Sequence, residues 1–175
     1  MPFETPRLIL RELTEDDFGS WYGILSDPET MRFYPAPFDE DKVRRWIRWS
    51  QDNYARYGFG LWAVILKETG EFIGDCGITM QSIHGQQLPE VGYHIHRDYR
   101  RRGYASEAAA LCIRLAFDRW RFPAVYSYMK HTNEPSFRTA MRNGMRFIEE
   151  YDDPVNTKTR VYAITREEWE HRCKA

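Results

Sequence analysis

Cysteine is scarce in this chain of 175 residues, where Cys76, Cys112 and Cys173 are the only three. They are odd in number and far apart, so neither a disulfide framework nor a metal-ligand spacing emerges. The reading is three structural thiols in a reducing cytosol, and no metal. Long apolar runs are missing as well, and none approaches the roughly 20 residues of a membrane-spanning helix. The opening Met1-Pro2-Phe3-Glu4-Thr5 lacks the basic and apolar regions of a signal peptide, so none is expected. Excess charge is absent: 25 basic residues face 26 acidic ones, and no global field draws the chain to nucleic acid or membrane. Two nucleotide motifs are also lacking. No Gly-Lys-Ser/Thr follows a glycine loop, and the triple-glycine dinucleotide fingerprint does not occur.

Hydrophobic residues, by contrast, make up 42%, enough for a proper core, and the length fits one domain over residues 1–175. The organising stretch is Glu90 to Ala116, which reads as a strand, an arginine-rich turn and a long helix. The turn is Arg100-Arg101-Arg102-Gly103-Tyr104-Ala105, followed by Ser106. A helix that starts there leaves several backbone N–H groups unpaired and pointing one way. Its dipole adds partial positive charge, so the turn is a seat for phosphate or pyrophosphate. Gly103 lets a ligand come up to the backbone, and the arginines supply forked donors.

The remaining elements follow from periodicity and turn chemistry. Arg7–Leu13 alternates as a strand, and Thr14 caps a helix with Phe18, Trp21, Tyr22 and Leu25 on one face. A short helical piece runs from Asp27 to Met31, and the ordered loop to Phe38 carries Phe33, Tyr34 and two prolines. Asp39 caps a helix over Glu40–Tyr57, stopped by Gly58. Gly60–Leu66 and Phe72–Met80 form a hairpin, Ser82–Gln87 a polar loop, and Glu90–Ile95 the next strand. The helix Tyr104–Trp120 then leads to a strand at Ala124–Met129. Such a β-α-β unit implies that the strands at Glu90 and Ala124 are parallel. A helix over Asn133–Asn143, strands at Arg146–Tyr151 and Thr159–Thr165, and a terminal helix complete the chain.

A second motif stands thirty residues beyond the first. Asn133-Glu134-Pro135-Ser136 opens a helix, and Gly144-Met145-Arg146-Phe147 follows it. Each part reads as a helix cap by itself. Together with Arg-x-x-Gly-x-Ala, however, they resemble the cofactor site of the GNAT superfamily of acetyl-CoA-dependent N-acyltransferases. The opening Thr5-Pro6-Arg7-Leu8-Ile9-Leu10-Arg11 looks like the Rim branch, which acetylates N-termini of ribosomal proteins. The resemblance implies an α/β fold with a mixed, mostly antiparallel twisted sheet of about seven strands and helices on both faces.

It also implies roles. The backbone of Arg101 to Ser106 would take the pyrophosphate, with Arg100 and Tyr104 in the same turn. Tyr93, His94 and Ile95 would pair with the pantetheine arm, which requires the fourth and fifth strands to splay. Asn133 and Ser136 would hold the arm and the thioester region, and Arg101, Arg102 or Arg138 would reach the ribose 3′-phosphate. Glu90 is the candidate base for the acceptor amine, with His94 and His96 as alternatives. Family members often place a general-acid tyrosine where this chain has Ala140, which leaves Ser136, Tyr93 and Tyr128 as substitutes. Phe33 and Tyr34 are the favoured acceptor-pocket residues; Trp21, Trp46 and Trp62 read rather as core. The implied reaction is acetyl transfer from acetyl-CoA to an amine, of a protein N-terminus or a small molecule such as an aminoglycoside or polyamine. The second reading is a non-catalytic acyl-CoA-binding module. A nucleic-acid partner is not expected, and a homodimer is left open.

Overall fold

Eight strands form one sheet in a computed structural model that describes residues 2–174. They are β1 (Phe3–Glu4), β2 (Leu8–Glu12), β3 (Leu61–Leu66), β4 (Phe72–Ile83), β5 (Gln86–Ile95), β6 (Ala124–Lys130), β7 (Arg146–Asp153) and β8 (Thr157–Thr165). The spatial order is β1-β2-β3-β4-β5-β6-β8-β7, antiparallel throughout except for the parallel neighbours β5 and β6. The helices are α1 (Phe18–Leu25), α2 (Glu40–Tyr57), α3 (Tyr104–Asp118), α4 (Glu134–Arg142) and α5 (Arg166–Lys174). None of the described helices is long and apolar enough to cross a membrane.

Alternation along the strands sends side chains to two cores. Leu8, Leu10, Trp62, Val64, Ile73, Cys76 and Ile78 pack against the small-residue side of α3, where Ala108, Cys112 and Ala116 are fully buried. Leu13, Leu61 and Ala63 instead meet Trp21, Ile24 and Leu25 of α1 and Val43 and Ile47 of α2. Helices therefore cover both faces, as expected. The α2 ends are capped as the sequence predicts: the Asp39 carboxylate accepts from the Lys42 N–H at 2.7 Å, and Gly58 closes the helix with φ 76°. Such a cap stabilises a helix by about 1 kcal/mol.

Three expectations need correction. The strand count is eight because the two-residue β1 pairs Phe3 with Leu10 and Glu4 with Ile9, a pairing too short to leave a periodic signal. Ser82–Gln87 is not a loop. β4 and β5 stay paired out to Ile83 and Gln86 and turn on His84-Gly85, whose φ values of 47° and 79° are those of a tight primed turn. The stretch from Asp27 to Met31 is a set of turns rather than a helix, and Thr30 N–H and hydroxyl bind the Asp27 carboxylate at 3.0 and 2.7 Å.

Candidate active site

The parallel pair β5 and β6 is joined through a single register position, Glu90 opposite Tyr126. Beyond it the two strands splay, which leaves Val91–Ile95 without a partner on that side. The splay that the pantetheine reading needed is thus present. Tyr93, His94 and Ile95 lie along it, and Tyr93 faces α4 while His94 faces the α1–α2 side.

At the open end of the splay stands the start of α3. Gly103 caps the helix with φ 84°, no side chain caps it, and Arg101 is also left-handed at φ 60°. Among the described residues, the N–H groups of Arg101 to Ser106 have no hydrogen-bond acceptor; the first bond of the helix runs from Glu107 N–H to Gly103 C=O. Six free donors at a helix N-terminus form a built anion cradle. A Cβ on Gly103 would sit 3.3 Å from an Arg7 guanidinium nitrogen, so the fit is tight there.

Arg7 is the brace that sequence reasoning missed. It donates from Nε to Glu107 at 2.6 Å and from Nη1 to the Arg102 carbonyl at 2.9 Å, and it lies over the Tyr104 ring at 4.5 Å. Thr5 donates its hydroxyl to Glu107 at 2.6 Å. Burial works against the charge on Glu107, but the bonds from Thr5 and Arg7 prevail and hold its carboxyl below the usual range. A carboxylate occupied in this way fixes the turn. Only its contacts, a hundred residues apart in sequence, reveal that use.

The other expected phosphate ligands are placed less uniformly. Arg101 and Arg102 are exposed beside the cradle. Arg100 turns inward, giving Nε to the Ile95 carbonyl at 3.0 Å and Nη2 to the Thr30 hydroxyl at 2.7 Å. It therefore ties the end of β5 to the turns after α1. Arg138 forms an i,i+4 ion pair with Glu134 on the exposed side of α4. Ser106 reaches Asn143 at 3.5 Å and links the first turn of α3 to the end of α4. Asn133 caps α4 by accepting from the Ser136 N–H at 3.3 Å. Tyr93 crosses the splay and donates to the Ser136 carbonyl at 2.9 Å, with the Ser136 hydroxyl 3.4 Å away. Ala140 is buried in the core beneath.

Glu90 sits at the vertex of the splay and is only 9% exposed. Burial raises its pKa to about 8, with Asp75 adding to the rise while the Thr79 hydrogen bond and the His94 charge oppose it. The Thr79 hydroxyl donates to it at 3.3 Å. A carboxylate poised near neutrality is suited to removing a proton from an amine.

On the same face lies a chain of contacts that the sequence did not point to. Asp75 is fully buried in β4, opposite His94 in β5. It accepts from Trp21 Nε1 at 2.7 Å, and His94 Nδ1 lies 3.0 and 3.1 Å from its two oxygens. On its other side, His94 Nε2 is 2.7 Å from the Tyr34 hydroxyl. Burial disfavours the imidazolium, but the charge and hydrogen bond of Asp75 outweigh it, and the pKa of His94 is raised. Trp46 lies tilted at 6.1 Å from the His94 ring, with Phe38 edge-on to Trp46 at 4.8 Å and Trp49 tilted against it at 5.9 Å. Phe33 is half-buried beneath the Arg32 guanidinium, next to Tyr34. Trp21 and Trp62 belong to the core. His96, the other candidate base, lies past β5 and meets Asp98 in the turn instead.

Comparison with known proteins identifies the family. A family model described as the acetyltransferase (GNAT) domain matches residues 7–146. YkkB of Bacillus subtilis (strain 168), described as uncharacterized, is 35% identical over 155 residues, covering 86% of this chain and 90% of its own. Among solved structures, an acetyltransferase from Agrobacterium tumefaciens str. C58 superposes with a TM-score of 0.82 at 26% identity, over 95% of each chain. RimL, a ribosomal L7/L12 alpha-N-protein acetyltransferase in complex with coenzyme A, superposes with a TM-score of 0.79 over 94% of this chain and 98% of its own. Its identity of 13% makes that a likeness of fold.

Proposed function

The chain belongs to the GNAT acetyltransferase family, and from that premise we propose that it transfers an acetyl group from acetyl-CoA to a primary amine by direct attack in a ternary complex. The observation that carries the proposal is Glu90 at the branch of β5 and β6, buried and with its pKa raised to about 8. An amine must lose a proton before it can attack, and a carboxylate of that basicity takes it at neutral pH. The cradle of free N–H groups at Arg101 to Ser106 fits a pyrophosphate, and the open side of β5 fits an amide-bearing arm. Acetyl-CoA supplies the activated acyl group when bound. The chain's own residues seat it, hold the amine beside it and exclude water. Tyr34 and Phe33 flank the acceptor side. The acceptor is an amine of a protein N-terminus or of a small molecule. We place the activity in the cytosol, in keeping with three cysteines that are all free.

Ala140 favours one other reading, a non-catalytic acyl-CoA-binding module on the same fold, because a general-acid tyrosine is missing there. The test has two stages. The melting temperature is measured with and without saturating acetyl-CoA. Thiol release is then followed with a short peptide bearing a free N-terminus, with spermidine and with kanamycin. A thermal shift with turnover on one amine supports the enzyme. A shift with no turnover on any supports the module, and no shift removes the acyl-CoA site altogether.

A further inference from the structure

We propose that Asp75, His94 and Tyr34 form a proton relay on the acceptor face, with the Tyr34 hydroxyl as the acid of the transfer and His94 and Asp75 as the positioning residues that recharge it. The inference rests on the acetyltransferase reading above and names the group that supplies the acid where Ala140 cannot.

A carboxylate only accepts, so His94 Nδ1, at 3.0 and 3.1 Å from the Asp75 oxygens, carries a proton. Trp21 donates at 2.7 Å to Oδ1, the oxygen nearest His94, and keeps the carboxylate from swinging away. That leaves Nε2 facing Tyr34 at 2.7 Å with only two arrangements. A neutral imidazole accepts the Tyr34 proton. An imidazolium donates to the Tyr34 oxygen and turns the phenol proton outward. The Tyr34 hydroxyl has no other partner among the described residues, so the outward proton is free to leave. The groups acting on His94 favour the charged form on balance: Asp75 from β4 and Glu90 from β5 raise its pKa, against burial and Arg100 from the turn after β5. The helices packed on it add Trp21 and Trp46, which do not titrate.

Tyr34 is also in the right place. Its hydroxyl meets His94 of β5, and burial, with the charges of Glu90, Asp75, Tyr128 and Tyr93, raises its pKa, so it keeps its proton until the basic sulfur leaves. The residue is 39% exposed, while its hydroxyl points in at His94. The amine nitrogen bonds to the thioester carbon and the carbon–sulfur bond breaks. Glu90 takes one proton from the ammonium and passes it to water, then takes a second from the nitrogen as it attacks. Tyr34 delivers its hydroxyl proton to the leaving sulfur and regains one from His94 Nε2. Glu90 then loses a proton to water and His94 gains one, which restores the starting state.

The test uses the full chain, Tyr34→Phe, His94→Gln, the double variant and Asp75→Asn. Thermal melts check that each folds, and Gln keeps an N–H toward Tyr34 without being able to relay a proton. With whichever amine of the panel the wild type acetylates, each single variant should lose about 10²-fold in kcat, with the KM for acetyl-CoA unchanged. The double variant should lose no more than the worse single, and the fall in kcat at high pH should vanish in His94→Gln. In ¹⁵N-histidine spectra, Tyr34→Phe should move the His94 Nε2 resonance and Asp75→Asn should lower the pH at which it titrates. Additive losses, or an effect confined to the KM of the amine with the pH profile intact, overturn the relay. If the wild type acetylates no amine, the proposed function fails separately, and the spectra decide the relay: an Nε2 resonance unmoved by Tyr34→Phe overturns it.

Discussion

Glu90 stands opposite Tyr126 at the one position where β5 and β6 still pair, so the buried carboxylate marks the point from which the cleft opens. Removing only its charge separates chemistry from binding. Glu90→Gln keeps the volume and the contact with Thr79. It should lower kcat by about 10²–10⁴ while the thermal shift produced by acetyl-CoA stays intact. The wild-type kcat/KM should rise with pH through the pKa of about 8 set by burial. A flat profile between pH 6 and 9 would refute the assignment.

The same shift makes a stability statement. Glu90 holds its proton more tightly folded than unfolded, so its contribution is present below about pH 4.5 and is lost as pH rises towards 8. His94 is raised too, but from 6.5, so its loss begins only above that pH. Between pH 4.5 and 6.5 the slope therefore belongs to Glu90 and should be near 1.4 kcal/mol per pH unit. Urea melts at pH 5 and 6.5 should show that decline in the wild type and little of it in Glu90→Gln.

Gly103 has φ 84°, and a Cβ there would press on the Arg7 guanidinium at 3.3 Å. Gly103→Val should strain the turn by about 1–2 kcal/mol and push a branched side chain towards the free N–H groups. Saturating ligand at about 100 times its dissociation constant adds roughly 2.7 kcal/mol of stability. That gain, read as a thermal shift with acetyl-CoA, should disappear in the variant. A shift of full size in Gly103→Val would move the acyl-CoA site elsewhere.

The brace under the cradle predicts a milder outcome. Arg7→Ala removes the donors to Glu107 and to the Arg102 carbonyl, as well as the cation over Tyr104. The turn should loosen, and affinity for acetyl-CoA should drop by about tenfold, equivalent to some 1.4 kcal/mol, with kcat little changed. Calorimetric titration measures this directly. Unchanged affinity would make the brace irrelevant to the cradle.

Gly77 concerns the fold alone. A Cβ there would lie 1.9 Å from the Gly60 carbonyl oxygen and 2.6 Å from the Leu61 Cα, both backbone atoms that cannot turn aside. Gly77→Ala should therefore destabilise by several kcal/mol, in the upper tail for single substitutions. A melting temperature within a few degrees of wild type would mean that the two strands can move apart.

What the sequence determined was local. The arginine turn with Gly103, the caps at Asp39 and Asn133, and the order of strands and helices each rest on residues within a few positions of one another. The family motifs, being local, were legible with them. What only the tertiary structure decided was what meets across the sheet. Arg7 reaches Glu107 over a hundred positions, Tyr34 reaches His94 over sixty, and Asp75 meets His94 because two strands pair in one register. Asp75 reads along the chain as one more acidic residue in a strand. Its meaning comes from being sealed from water beside a histidine and a tryptophan, an environment that periodicity and spacing do not encode. The splay at Glu90 is of the same kind. Two strands can share a parallel direction and still part after one pair, and the point of parting is a property of the assembled sheet.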